Sequence, residues 1–297
     1  MNFLLVGIYI VLLYSIHFLF FAELERTASE IIGFFVAVVF LLFSMLLLDF
    51  VIRKNSLNQL NTFGILVFST SAMMFPDLVG QYSLVVANVF LLLALRRIYS
   101  LQSLKNSEKK IVDATLWIVL ASVFYFWSLL LLLSLYFAIL IKPRNHFRYF
   151  LIPLVSLLGA LLIATAYHFV IDDSFKWFAS WLTPVSFDFS AYGNPKIWTA
   201  ITFFSAVLIW TIVSMFRGLA SVPKKDRPNQ VQTLVTVAVG ILLVALSPNK
   251  SGNELLFLFA PAAIVVASFM ERNKERWFRE ILLWGFVLLP VVLLFVN

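Results

Sequence analysis

Residues 114–141 run for 28 positions without one charged side chain. A helix or strand at a water-facing surface keeps one polar face, so an uncharged stretch of this length has no ordinary solvated fold to enter. The same pattern recurs along the whole chain, with apolar runs broken by short charged turns. A helix needs ~20 apolar residues to cross the hydrocarbon core of a bilayer, within a range of ~17–25. On that basis the sequence predicts eleven spans, at 2–21, 31–52, 60–75, 82–95, 111–123, 126–141, 147–171, 197–216, 230–247, 254–270 and 277–296. The expected fold is all-α, a polytopic transmembrane helical bundle that forms a single integral-membrane domain over residues 1–297.

Composition agrees. Hydrophobic residues make up 62% of the chain and charged residues 12%, against ~45–50% and ~25% in soluble domains. A soluble enzyme, a nucleic-acid-binding module and a disordered tail are excluded on those numbers. The first span has no basic region before it and no small-x-small cleavage site ahead of Glu23-Leu24-Glu25-Arg26, so it is read as an uncleaved helix.

The formal charge of +7 is distributed by loop. Placing successive loops on alternate sides assigns 18 Lys and Arg residues to one side and only Arg26, Lys176, Lys196 and Lys250 to the other. Basic loops stay in the cytoplasm. The expected orientation is therefore N-terminus inside and C-terminus outside, in a bacterial inner membrane crossed many times. The run 114–141 is split into two short spans, with Phe124-Tyr125-Phe126-Trp127 at the outer turn, because one span would put two basic loops on opposite faces. Aromatic residues favour that interfacial depth. Membrane lipids are the expected partners, anionic head groups among them, together with other membrane or envelope proteins. Nucleic acid is not, since no basic segment is long enough to form a domain.

Cysteine is absent, which removes disulfides, thiolate metal sites and Cys nucleophiles. No phosphate-binding loop, no zinc helix of the His-Glu-x-x-His kind and no Gly-x-Ser-x-Gly turn occurs. No metal and no cofactor is expected. The middles of the spans hold almost no ionisable residues, which disfavours ion-coupled transport.

Candidate sites lie in the outer loops. Glu23, Glu25 and Glu30 surround the first one; two close carboxylates there can bind a divalent metal or act as a general base, or they are solvated charges with Glu30 stabilising the start of the second helix. The outer loop 172–196 carries Phe175, Trp177, Phe178, Trp181, Phe187, Phe189 and Tyr192. Helical spacing at 174, 177, 178, 181 and 182 predicts a short interfacial helix with its aromatic face in lipid, capped by Ser174, Asp172 or Asp173. Asp188 between two phenylalanines is an unusual place for an acid, and aromatic rings beside an acid suit a sugar or a polyprenyl phosphate. Such rings also form the ordinary aromatic belt. Lys250 and Glu254 open the tenth span in Lys250-Ser251-Gly252-Asn253-Glu254. They form either a head-group site or a simple helix start, with Ser251 or Asn253 as cap and Glu254 on the helix dipole.

The runs Arg96-Arg97-Ile98-Tyr99-Ser100-Leu101, Asp113-Ala114-x-x-Trp117-Ile118, Ser122-Val123-Phe124-Tyr125-Phe126 and Lys250-Ser251-Gly252-Asn253-Glu254-Leu255-Leu256-Phe257-Leu258-Phe259-Ala260-Pro261 resemble a family of uncharacterised polytopic inner-membrane proteins of Gram-negative bacteria. The layout is also distantly similar to integral-membrane glycosyltransferases that use polyprenyl-phosphate sugars. That likeness implies outer-surface chemistry with a catalytic acid in a long first outer loop. Here the loop is short and offers Glu23 and Glu25.

Three functions follow as expectations. The first is an accessory or scaffold subunit in cell-envelope biogenesis that contacts lipid or a lipid-linked substrate. The second is a glycosyltransferase-like enzyme with Glu23 or Glu25 as base, Asp188 as auxiliary, and Trp177, Trp181, Lys250 and Glu254 binding substrate. The third is a lipid or small-solute transporter.

Overall fold

A computed structural model describes residues 2–21, 27–59, 61–103, 105–142, 147–273 and 275–295. Among the described residues there are twelve α-helices: α1 (Asn2–Phe20), α2 (Ala28–Lys54), α3 (Phe63–Met73), α4 (Tyr82–Ser100), α5 (Ser107–Phe124), α6 (Leu131–Leu140), α7 (Arg148–Asp172), α8 (Trp177–Trp181), α9 (Pro195–Gly218), α10 (Arg227–Leu246), α11 (Leu256–Arg272) and α12 (Arg276–Phe295). Eight of them are long and apolar enough to cross a membrane, namely α1, α2, α4, α7, α9, α10, α11 and α12. The chain is a multi-pass membrane protein by that composition. Every expected span coincides with a helix, but three of these helices fall short of the eight. Helix α3 has only 11 residues and α6 only 10. Helix α5 opens with Glu108, Lys109, Lys110 and Asp113.

The uncharged run 114–141 breaks at Tyr125. Helix α5 stops at Phe124, Tyr125 is extended (φ −151°, ψ 103°), and a 3-10 turn over Phe126–Leu130 leads into α6. The fourth expected span was cut at residue 95 by two arginines, yet α4 continues through both. The Arg96 guanidinium lies 4.8 Å over the Phe50 ring and Arg97 pairs with Asp113 at 2.7 Å, so neither charge is stranded in an apolar layer.

Local chemistry sets the helix starts. Thr27 and Glu30 form a reciprocal capping box on α2, which gives Glu30 a structural task. Asn194 accepts the Lys196 amide at 2.9 Å and Pro195 follows it, opening α9. The cap expected from Ser251 or Asn253 is not made. Instead Gly252 takes a left-handed conformation (φ 88°) and a 3-10 turn, Asn253–Leu255, leads into α11. A built Cβ at Gly252 would sit 2.6 Å from the Phe75 ring, so the turn requires glycine for its φ and for its space.

Helix α11 is the axis of the bundle, with 94% of its span enclosed, whereas 6% of the α7 span is. Short α3 is buried along nearly all its length against α11 and its neighbours. A helix too short to cross lipid is tolerated where protein surrounds it. Hydroxyl and amide groups tie the inner helices together. Gln232 Nε2 donates to Ser134 O and Oγ at 2.9 and 2.8 Å, Ser134 and Thr236 share a hydrogen bond at 2.8 Å, and Asn88 donates to Ser44 at 3.2 Å. Such bonds join helices where apolar burial alone discriminates little.

One end of the bundle is basic. Arg53 at the end of α2 pairs with Asp49 at 2.7 Å and lies over Phe3 at the start of α1. Arg148 of α7 meets Glu108 of α5 at 2.5 Å, and Arg279 of α12 lies over Phe63 at the start of α3. The turn at Tyr125, helix α8 and the turn 247–254 gather at the opposite end.

Candidate functional site

At that opposite end a cavity of about 320 Å³ opens between four chain segments. Its walls come from the start of α4, the Ser122–Phe126 break, the end of α8 with Thr183 beyond it, and the turn between α10 and α11. Each wall is a place where regular helix stops. Side chains at such stops converge because the bundle brings helix ends to a common level.

Glu254 is the only carboxylic acid among the described residues that line it. The residue is 1% exposed. Tyr192 donates its hydroxyl to Oε1, while Oε2 has no hydrogen-bond partner. The Thr183 hydroxyl at the same cavity is also buried and unpartnered. Buried polar atoms without partners are uncommon in native proteins, and two of them belong to residues that line this cavity. Burial, then the nearby Glu254 charge, pushes the Tyr192 phenol well above its ordinary value; it stays a donor at neutral pH.

The aromatic wall is equally ordered. Trp181 donates Nε1–H to Ser122 O at 2.8 Å and packs edge-on against Phe126 at 5.0 Å. Its ring is therefore turned into the bundle, contrary to the expected lipid-facing stripe. Helix α8 is only five residues long. Lys176 stands at its cap position without a side-chain cap bond; of the expected caps, Asp172 meets His168 at 2.8 Å and Asp173 closes α7 in a left-handed conformation. Tyr125 donates to Ser247 at 2.6 Å and Ser247 to Asn249 O at 2.9 Å. Burial raises the Tyr125 phenol to about 12.

Three other residues singled out from the sequence fall elsewhere. Lys250 lies beside the cavity without lining it. Its ammonium donates to Val244 O, Ala245 O and Ser247 O at 2.9, 2.8 and 2.8 Å and sits 5.0 Å over the Phe189 ring. All three of its donors are engaged in closing the C-terminal end of α10. Burial holds its pKa below the ordinary lysine value, with the Glu254 charge opposing. Trp177 stacks on His168 at 5.3 Å, away from the cavity. Asp188 is exposed and closes a local turn by accepting the Ser190 amide at 2.9 Å. The Ser190 amide and then its hydroxyl lower the Asp188 pKa. Glu23 and Glu25 lie outside the described residues.

Tyr192, Tyr125 and Thr183 were not singled out from the sequence as site residues. Their only linear signal is position: each stands at or just beyond the end of a helical element at the same end of the bundle. Among the described residues no group of three or more His, Asp or Glu side chains is arranged to hold a metal ion. The lining is hydroxyl, amide and aromatic, with one carboxylate. Such a set can accept from hydroxyl or amine donors and stack on a ring face.

A model of a protein family matches the entire chain, residues 1–297. The chain belongs to DUF6427, a family of unknown function. No curated protein and no solved structure matches it. For this DUF6427 member the functional argument rests on the cavity itself.

Proposed function

We propose that the protein is an inner-membrane subunit of bacterial cell-envelope biogenesis that holds the polar head of a lipid-linked sugar beneath Glu254. In this reading the chain crosses the membrane eleven times with its N-terminus in the cytoplasm. The cavity then opens toward the outer leaflet, and the basic helix ends face the cytoplasm as the charge rule requires.

The observation that carries the reading is that two residues with an unpartnered buried oxygen, Glu254 (Oε2) and Thr183 (Oγ1), line one cavity together with Trp181. A sugar ring supplies hydroxyl donors to the carboxylate and an apolar face to the indole. The test is titration of the purified protein in nanodiscs with a polyprenyl-phosphate hexose, following tryptophan fluorescence against a Trp181→Phe control. Saturable quenching is expected in the wild type and is expected to weaken about tenfold in Glu254→Gln, from loss of a charged hydrogen bond. Equal response in the two proteins would overturn the reading.

A further inference from the structure

A second and larger cavity lies at the basic end, far from Glu254. It is a groove of about 720 Å³ between the C-terminal half of α9, the end of α11 and the start of α12. Its floor is apolar. Ile209, Trp210 and Trp277 are 63%, 63% and 60% exposed, and Phe269 packs edge-on against Phe278 at 6.0 Å. These are ordinary ligand-pocket dimensions, ~300–1,000 Å³.

The head of the groove carries charge. Arg217 ends α9 and Arg272 ends α11, and both line the groove. Neither makes an ion pair among the described residues. The intervening residue matters: a Cβ built at Gly218 would lie 2.7 Å from Arg272 Nη1. The lack of a side chain at 218 lets the Arg272 guanidinium settle against the C-terminal end of α9, whose partial negative charge favours it. Glu275 also lines the groove, and Arg276 follows it in sequence. The balance at the rim is cationic.

We propose that this groove binds a two-tailed anionic phospholipid, with its phosphate between Arg217 and Arg272 and its acyl chains along Ile209, Trp210, Val213 and Trp277. Charge complementarity selects the occupant. Guanidinium groups hold phosphate oxygens through paired, charge-assisted hydrogen bonds. The apolar floor below them is open on the side that faces hydrocarbon, where lipid is always at hand. A partner helix would cover the floor but leave two guanidiniums at its end without an anion.

Native mass spectrometry from detergent tests this, with phosphatidylglycerol and phosphatidylcholine added in turn. The wild type is expected to retain phosphatidylglycerol in preference, and Arg217→Gln/Arg272→Gln to bind it about tenfold more weakly. Val213→Trp fills the groove without altering either charge, and is expected to displace the lipid as well. Arg53→Gln, whose guanidinium pairs with Asp49 away from the groove, is expected to bind as the wild type does. Excess inorganic phosphate is expected to leave the adduct in place. Equal retention of the two lipids, equal loss in Arg53→Gln, displacement by free phosphate, or a lipid-free dimer that buries Trp210 would each overturn the proposal. Glu254→Gln leaves this groove untouched, so failure here and failure of the outer-cavity reading are separately visible.

Discussion

Tyr192 and Glu254 stand 62 residues apart in the chain and are joined by one hydrogen bond, phenol to carboxylate. The bond pins the loop before α9 onto the start of the most enclosed helix in the bundle. It satisfies one oxygen of a buried carboxylate and leaves the other, Oε2, without a partner.

Removing the phenol tests that arrangement. Tyr192→Phe leaves a buried carboxylate short of its donor, which costs about 1–3 kcal/mol. The thermal unfolding midpoint in detergent is expected to fall. In Glu254→Gln, where the amide oxygen still accepts from Tyr192, it is expected to fall less.

Lys250 is expected to behave as a structural residue. Its three carbonyl partners all belong to the segment that ends α10. Lys250→Met keeps the stem and deletes the donors, and is expected to destabilise by about 1.5–3 kcal/mol, the range for hydrogen bonds to a charged group. Ligand titration on the folded fraction is expected to give an unchanged affinity.

Alkaline pH probes the aromatic wall. Burial raises the Tyr125 phenol from its ordinary 10.0 to about 12, so the folded state holds a proton that the unfolded chain releases. This contribution to stability is complete below pH 10 and is lost as pH rises toward 12. Tyr125→Phe is expected to flatten the fall in unfolding midpoint over that window, as measured by circular dichroism.

The first outer loop separates binding from transfer. Glu23→Gln/Glu25→Gln is expected to leave sugar-lipid binding unchanged in the fluorescence titration. Loss of binding in that double variant would instead place the loop at the cavity.

Much of the fold was legible in the sequence because apolar runs and basic turns act locally. The break at Tyr125 was legible from charge and from the aromatic run 124–127: two basic loops were expected to share an end, and Glu108 and Arg148 do meet. The reach of α4 was misjudged because Arg96 and Arg97 look like a stop in one dimension, while in the fold Phe50 and Asp113 receive them. The site was legible only in part. Trp181 and Glu254 line the cavity, but their partners Ser122 and Tyr192 lie 59 and 62 residues away. Nothing local encodes those pairings. Trp177 and Asp188 resembled site residues because an aromatic or acidic side chain in a loop carries the same one-dimensional signal whether it faces a cavity, its neighbours or solvent.

The most direct measurement is native mass spectrometry of the protein extracted gently from its own membrane, with the bound lipids released and sequenced. A sugar-bearing lipid adduct is expected on the wild type, absent from Glu254→Gln/Thr183→Val and retained in Lys250→Met. A wild type that carries no glycosylated lipid, or a double variant that keeps it in full, would contradict the account.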